Sequence, residues 1–332
     1  MPKIETIIVK KILTDDETKK LEGTILPKGY YKKICNKDID IKDEDGNYIL
    51  RFRKNVIPLK NILKCYDSII KHARIKTTTT RGMAGGIRDK LKASTILNNN
   101  KISSNIIGYF DTLSVRQKWI FRDAGMYKEK PICRQTRFTM QNPLKWKKII
   151  PLIKDIDKQY KKLFPIHHTI QYEANQSTKF KIDNTAFSTI TTNLNLQTAC
   201  HYDKGDFNKG FGNLIVIEKG DYKGGYTGFP QYGIGVDVRT GDFLGMDVHL
   251  LHGNEPIELI TDGAERLSLV SYLRQGIYDK CKDAIMFDKT FYDEVSKKAK
   301  KNRDKKTKKY NIPRHVYNGK RINKTNKRIK DK

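Results

Sequence analysis

TAFSTITTNLNLQTACHYDKGD, residues Thr185 to Asp206, runs a β-rich stretch straight into a histidine and an aspartate two positions apart. At a strand end, side chains at i and i+2 point to the same face, so His201 and Asp203 stand side by side. Some fifty residues on, the chain reads HLLHGNEPIEL (249–259) and then ERLSLVSYL (265–273). Between and around these pieces lie the short β-rich runs HTIQYEA, GNLIVIEKG, GIGVDVRTGDFLGMDV and IELIT, divided by Gly, Asp and Asn. Strands at that spacing, with no helices between them, predict an antiparallel sandwich or barrel.

The upstream part has another texture. Residues 1 to about 60 mix short β-like runs with turn signals such as DEDGN. Residues 61–76 then space Ile62, Leu63, Tyr66, Ile69 and Ile70 as a helix does. The segment 144–164 repeats apolar positions at three and four, which predicts an amphipathic helix in spite of Pro151. The organisation that follows is α+β. An N-terminal α/β extension (1–74) leads into a β-barrel core (75–296) with a closing helix near 284–300, and a basic tail (297–332) follows.

Two histidines and one carboxylate that leave open positions on one face suit a non-haem Fe(II) ion, whose free sites take a co-substrate and O2. His201 and Asp203 supply two ligands. His249 and His252 both qualify for the third, and His252, opening a run with Gly253 behind it, is the favoured one. Arg266 begins the next strand, where its planar fork is placed to grip a carboxylate through two hydrogen bonds.

Charge is the strongest global signal. The chain carries a formal +29, which calls for an anionic partner, most often nucleic acid. The last 36 residues hold seventeen Lys or Arg against Asp304 and Asp331, too little apolar content for a core, so they are expected to be disordered and to neutralise phosphates without reading sequence. No window holds the eighteen apolar residues of a membrane span, and the N-terminus has no secretory pattern, so an intracellular protein, nuclear or viral/cytoplasmic, is expected. Five scattered cysteines without a C-x-x-C pair predict reduced thiols rather than a disulfide framework or a zinc finger.

The Thr-rich strand with its H-x-D-x-G-D turn, GDFLGMDVHLLHGN and ERLSLVSYL resemble the corresponding elements of the TET and JBP dioxygenases, the ten-eleven-translocation and base-J-binding families. RGMAGG, IGYFD and CRQTRFT resemble elements of small microbial and viral members, and the likeness covers roughly residues 75–275. The resemblance implies a double-stranded β-helix (a jelly-roll, cupin-like barrel) that uses Fe(II), 2-oxoglutarate and O2 to hydroxylate the 5-methyl group of a pyrimidine in DNA. The pyrimidine is 5-methylcytosine in TET-like members and thymine in JBP-like ones. It further implies His201, Asp203 and His252 as the metal ligands, Arg266 with help from Ser268 for 2-oxoglutarate, and Asp206 facing the target base. TET-like members carry Asn at that last position.

A methyl group reaches an iron at the bottom of a barrel only when its nucleotide is flipped out of the duplex. Arg81 and Arg88, which flank the glycines of RGMAGGIR, and Arg134 in CRQTRF are the expected contacts to that nucleic acid. Two other functions suit the same residues. One is a prolyl or lysyl hydroxylase with the same iron chemistry; the other is a non-catalytic nucleic-acid-packing protein on a dioxygenase fold, which the intact His201, Asp203, His252 and Arg266 set disfavours.

Overall fold

The computed structural model describes residues 4–77, 102–126 and 131–310. The first part supplies β1 (Glu5–Ile8), α1 (Asp15–Leu21), β2 (Lys33–Cys35), β3 (Ile39–Lys42), β4 (Tyr48–Arg53) and α2 (Leu59–Ala73). Then come β5 (Ser104–Phe110), α3 (Val115–Asp123), β6 (Ile132–Gln135), α4 (Arg137–Gln141), α5 (Pro143–Leu163) and α6 (Pro165–Gln176). The β-rich part holds β7 (Thr189–Leu194), β8 (Gly212–Lys219), β9 (Tyr222–Gly224), β10 (Thr227–Phe229), β11 (Ile234–Val236), β12 (Phe243–Met246), β13 (Gly253–Asn254), β14 (Ile257–Leu259) and β15 (Glu265–Tyr272). It closes with α7 (Gln275–Lys280), β16 (Ile285–Phe287) and α8 (Lys289–Tyr310).

The larger sheet runs β1-β3-β4-β12-β8-β15-β7-β5-β6-β16, and a smaller one runs β13-β10-β11-β2. Alternation along the central strands explains how both faces are covered. In β8, Leu214 and Val216 join the core between the two sheets, with Leu244, Met246, Phe229, Ile234 and Val236. Ile215 and Ile217 turn the other way, toward a core shared with Leu267 and Leu269 of β15 and with Ile62, Ile69, Ile149, Leu152 and Ile156 of α2 and α5. A strand buried on both faces reads as a continuous apolar run, which is why GNLIVIEK carries so few polar residues. Two facing sheets with helices behind one of them are the double-stranded β-helix core that the sequence predicts.

The first 74 residues join both sheets. β4 pairs antiparallel with β12, and β2 pairs parallel with β11. Helix α5 forms as its periodicity predicts, with Pro143 at the start, where a missing N–H costs nothing, and Pro151 on its exposed side.

Three expectations are corrected. HTIQYEA is helical, within α6: Pro165 opens the helix and His168, Gln171, Ala174 and Asn175 are buried at helical spacing, so the apparent alternation of that run is incidental. Cys133 and Cys281 are joined as a disulfide with their Cα atoms 6.0 Å apart, while Cys35, Cys65 and Cys200 are free and buried. A separation of 148 residues gives no spacing signal to read. Finally, the lysine-rich run is helical as far as Tyr310 instead of leaving the fold at residue 296, since lysine is a good helix former and Val295 and Ala299 are buried.

Helix α8 and residues 113–126 belong to a compact unit of their own. Phe121 and Phe291 meet edge to face at 5.7 Å, and Asp123 accepts from Asn302 through its carbonyl and from Arg303 through its carboxylate. Among the described residues, no helix is long and apolar enough to cross a membrane.

Candidate metal centre

His201 follows the strand-to-turn segment after β7, and His252 immediately precedes β13. The two residues exchange backbone hydrogen bonds, His201 N–H to His252 C=O at 2.9 Å and the reverse at 3.0 Å. This pairing brings the rings to 4.4 Å between centroids. Each ring is oriented by its own backbone: Nδ1 of His201 lies 2.7 Å from the Ala199 carbonyl and Nδ1 of His252 lies 2.9 Å from the Leu250 carbonyl. A proton on each Nδ1 satisfies those carbonyls and leaves both Nε2 lone pairs turned inward.

Asp203 lies between them. Its two carboxylate oxygens are each 3.5 Å from one Nε2, so the three donors lie within 4.8 Å of one another. Two donors about 2.1 Å from one ion stand roughly 3.0–3.5 Å apart, so the donor set fits a divalent cation. Burial alone would raise the Asp203 carboxyl, but when the imidazoles of His201 and His252 take a second proton, on Nε2, their hydrogen bonds and charge hold it well below the usual carboxylate range. Asp203 in turn holds the buried His252 imidazole above its ordinary value. Of the two distal histidines, His252 is the one beside Asp203. His249 bonds instead to the Phe207 carbonyl at 3.2 Å.

A cavity of about 400 Å³ opens on this cluster. Strand β15 lines it with Ser268, Val270 and Tyr272, and Arg274 follows at the next position of the same alternation. Arg266, two residues before Ser268, is 3 % exposed, and its Nε and Nη2 have no hydrogen-bond partner among the described residues. A buried guanidinium left in that state is costly, and a ligand carboxylate is the group that would satisfy it. Its surroundings fit it closely: Gly225, at φ +68°, passes so near that an added Cβ would sit 3.0 Å from the Arg266 Nε. The Gly225 carbonyl accepts from Asn254, a cavity residue.

The other expected residues divide. Asp206 lines the cavity. Arg134 is outside its lining; it donates from Nε to the Thr112 carbonyl at 2.7 Å and lies over the Phe110 ring, and burial pulls its pKa down to about 10. Arg81 and Arg88 lie outside the described residues. The sequence reading missed Arg274, whose Nε donates to Asp111 at 2.8 Å and whose guanidinium lies 3.9 Å from the Phe110 centroid. Continuing the alternation Arg266, Ser268, Val270, Tyr272 by one step would have found it. Glu22, also in the lining, comes from the N-terminal segment and gave no signal.

The family described as the Tet_JBP oxygenase domain of the 2OGFeDO superfamily matches residues 122–275. The chain is 35% identical over 176 residues to the bifunctional helicase and thymine dioxygenase JBP2 of Leishmania tarentolae, covering 52% of this chain and 15% of that protein. It is 31% identical over 208 residues to the thymine dioxygenase JBP1 of Crithidia fasciculata, covering 60% of this chain and 23% of that one. The chain thus spans under a quarter of the length of these relatives. Among solved structures, NgTET1 in complex with 5mC DNA shares the fold, with a TM-score of 0.50 at 15% identity over 80% of this chain and 86% of that one. Residues 122–275 are thus similar to the oxygenase domain of the TET/JBP family, and the chain shares its fold with NgTET1.

Proposed function

We propose that this chain is an Fe(II)- and 2-oxoglutarate-dependent dioxygenase that hydroxylates the 5-methyl group of a pyrimidine in DNA. The observation that carries the reading is the pairing of a His201–Asp203–His252 donor set with a buried, unsatisfied Arg266 guanidinium on the strand that lines the same cavity. The superfamily's use of Fe(II) and 2-oxoglutarate, and JBP relatives described as thymine dioxygenases, support it.

In this reading His201, Asp203 and His252 hold the iron. Arg266 takes the distal carboxylate of 2-oxoglutarate, with the Ser268 side chain beside it. Bound iron and 2-oxoglutarate, with O2, supply the oxidation that inserts one oxygen atom into a methyl C–H bond and releases succinate and CO2. The protein itself binds, orients and excludes water. Asp206 and Arg274 present an acceptor and donors to the polar edge of a base, while Leu214, Met246 and Val270 keep part of the cavity apolar. No side chain is required as a general base. The nucleotide must leave its stack to enter, and the net +29 of the chain favours holding the phosphate backbone meanwhile.

The test is mass spectrometry of nucleosides after incubation with Fe(II), ascorbate and 2-oxoglutarate. One duplex contains 5-methylcytosine and a second contains only unmodified bases. Oxidised 5-methylcytosine or 5-hydroxymethyluracil supports the reading and names the base. Neither product, from a chain shown to bind iron, removes DNA as the substrate and turns the search to proteins.

A further inference from the structure

The segment that follows α1, Glu22 to Tyr31, lies outside the matched oxygenase domain yet reaches both histidines of the metal centre through their chain neighbours. On one side, the Gly23 N–H donates to the Cys200 carbonyl at 2.7 Å, and the Cys200 N–H donates to the Thr24 carbonyl at 2.8 Å. Cys200 is the residue before His201. On the other side, the buried Tyr31 hydroxyl donates to the Gly253 carbonyl at 3.0 Å, and Gly253 is the residue after His252. Two further bonds fix the segment: Glu255 accepts from the Tyr31 N–H at 2.8 Å and from the Gly29 N–H at 3.1 Å. Leu26 and Tyr31 pack with Cys200 and Leu251 in a small buried cluster that belongs to neither large core.

The ligand-bearing segments meet closely here. A Cβ on Gly253 would lie 3.1 Å from the Cys200 backbone, so the His201–His252 pairing tolerates only glycine at that point without a shift. The pair is short, an isolated bridge rather than a long ladder. It therefore relies on what grips its flanks, and the flanks are gripped by residues 23–31.

We propose that this N-terminal segment is a clamp for the metal centre, with Tyr31 as a positioning residue that sets the metal affinity by holding the Gly253 carbonyl and, through it, His252. The inference rests on the metal-centre reading above. Partners outside the ligand set commonly change metal affinity by about 10–100-fold when removed. Tyr31 acts one step further out, so about tenfold is expected.

The experiment is a Co(II) titration of the full chain, followed by visible absorption and calorimetry without any turnover. Tyr31→Phe keeps the ring in its cluster and removes only the hydroxyl. Tyr160→Phe is the control: its buried hydroxyl bonds to Gln171 and Phe211, and it lies in the helix-backed core. Expected are about tenfold weaker Co(II) binding and an altered visible band for Tyr31→Phe, with wild-type binding for Tyr160→Phe. Wild-type Co(II) affinity in Tyr31→Phe overturns the clamp, even if its melting temperature falls. Should Tyr31→Phe not fold, Glu255→Gln, which weakens the hold on the Tyr31 and Gly29 amides, is expected to weaken Co(II) binding several-fold, and unchanged affinity there overturns it equally. A wild-type chain that takes up no Co(II) sinks the metal centre and the clamp together, whereas binding that these variants leave untouched sinks the clamp alone.

Discussion

Arg274 and Asp111 form an ion pair at the cavity, 2.8 Å from Nε to carboxylate, with the guanidinium laid over Phe110. The pair and the ring fix the plane of a guanidinium that lines the cavity. Arg274→Ala is expected to raise KM for the DNA substrate roughly tenfold, as the loss of a charged hydrogen bond does, with KM for 2-oxoglutarate unchanged. Steady-state kinetics with each substrate varied in turn checks the split.

Arg266→Met should show the opposite split. KM for 2-oxoglutarate is expected to rise about 10–100-fold with DNA affinity intact. The ligand-free protein should melt at the same or a higher temperature, because the substitution removes a buried guanidinium whose Nε and Nη2 are unsatisfied. Added 2-oxoglutarate should raise the melting temperature of the wild type only. Gly225→Ala, which crowds the Arg266 Nε from a strained φ of +68°, should weaken 2-oxoglutarate in the same direction.

His201→Ala and Asp203→Ala each remove one of three donors and should abolish both metal uptake and turnover. Binding to DNA is expected to survive, since it depends on basic surface far more than on the ion. Metal analysis beside gel-shift titrations separates the two properties.

Lys297, Lys298, Lys300, Lys301 and Lys305 are exposed on α8, and no ion pair engages them among the described residues. Changing Lys297, Lys300, Lys301 and Lys305 to Glu should weaken DNA binding and flatten its dependence on salt. Each lost phosphate contact lowers the slope of log K against log salt by about 0.9. Co(II) affinity should not move.

His72 gives a pH prediction. Burial in the α2 contact with Phe138, helped by Arg137, pushes its pKa down to about 4. The unfolded imidazole, near 6.5, takes a proton first as pH falls, so stability drops between about pH 6.5 and 4 and is fully present above that window. The size is on the order of 2 kcal/mol for a partly exposed group. Melts of the wild type and His72→Gln should converge as pH falls from 7 to 4.5, and parallel curves would remove His72 from this role.

Much of the centre was legible because metal chemistry constrains local spacing. His201 and Asp203 are neighbours through the i, i+2 rule alone, and Arg266 and Ser268 share a face of β15 for the same reason. The sequence favoured His252 over His249 without saying where the run turns; in the fold, the backbone pairing with His201 puts His252 beside Asp203. What stayed hidden is long-range. The Tyr31 hydroxyl meets a carbonyl 222 residues away, and Cys133 meets Cys281 across 148. In α6, burial at His168, Gln171 and Asn175 uses polar side chains, so a hydropathy pattern could not mark the helix. Asn175 instead caps the Thr185 and Phe187 carbonyls from the helix side.

The pairing of α3 with α8 has a consequence for biosynthesis. Phe121 is made some 170 residues before its partner Phe291, so the ribosome releases an unfinished hydrophobic seam early and completes it only after strands β7 to β15 have all been made. A nascent chain stopped just after β15 would carry that seam open, a ready target for chaperones, with strands β1 to β15 already made.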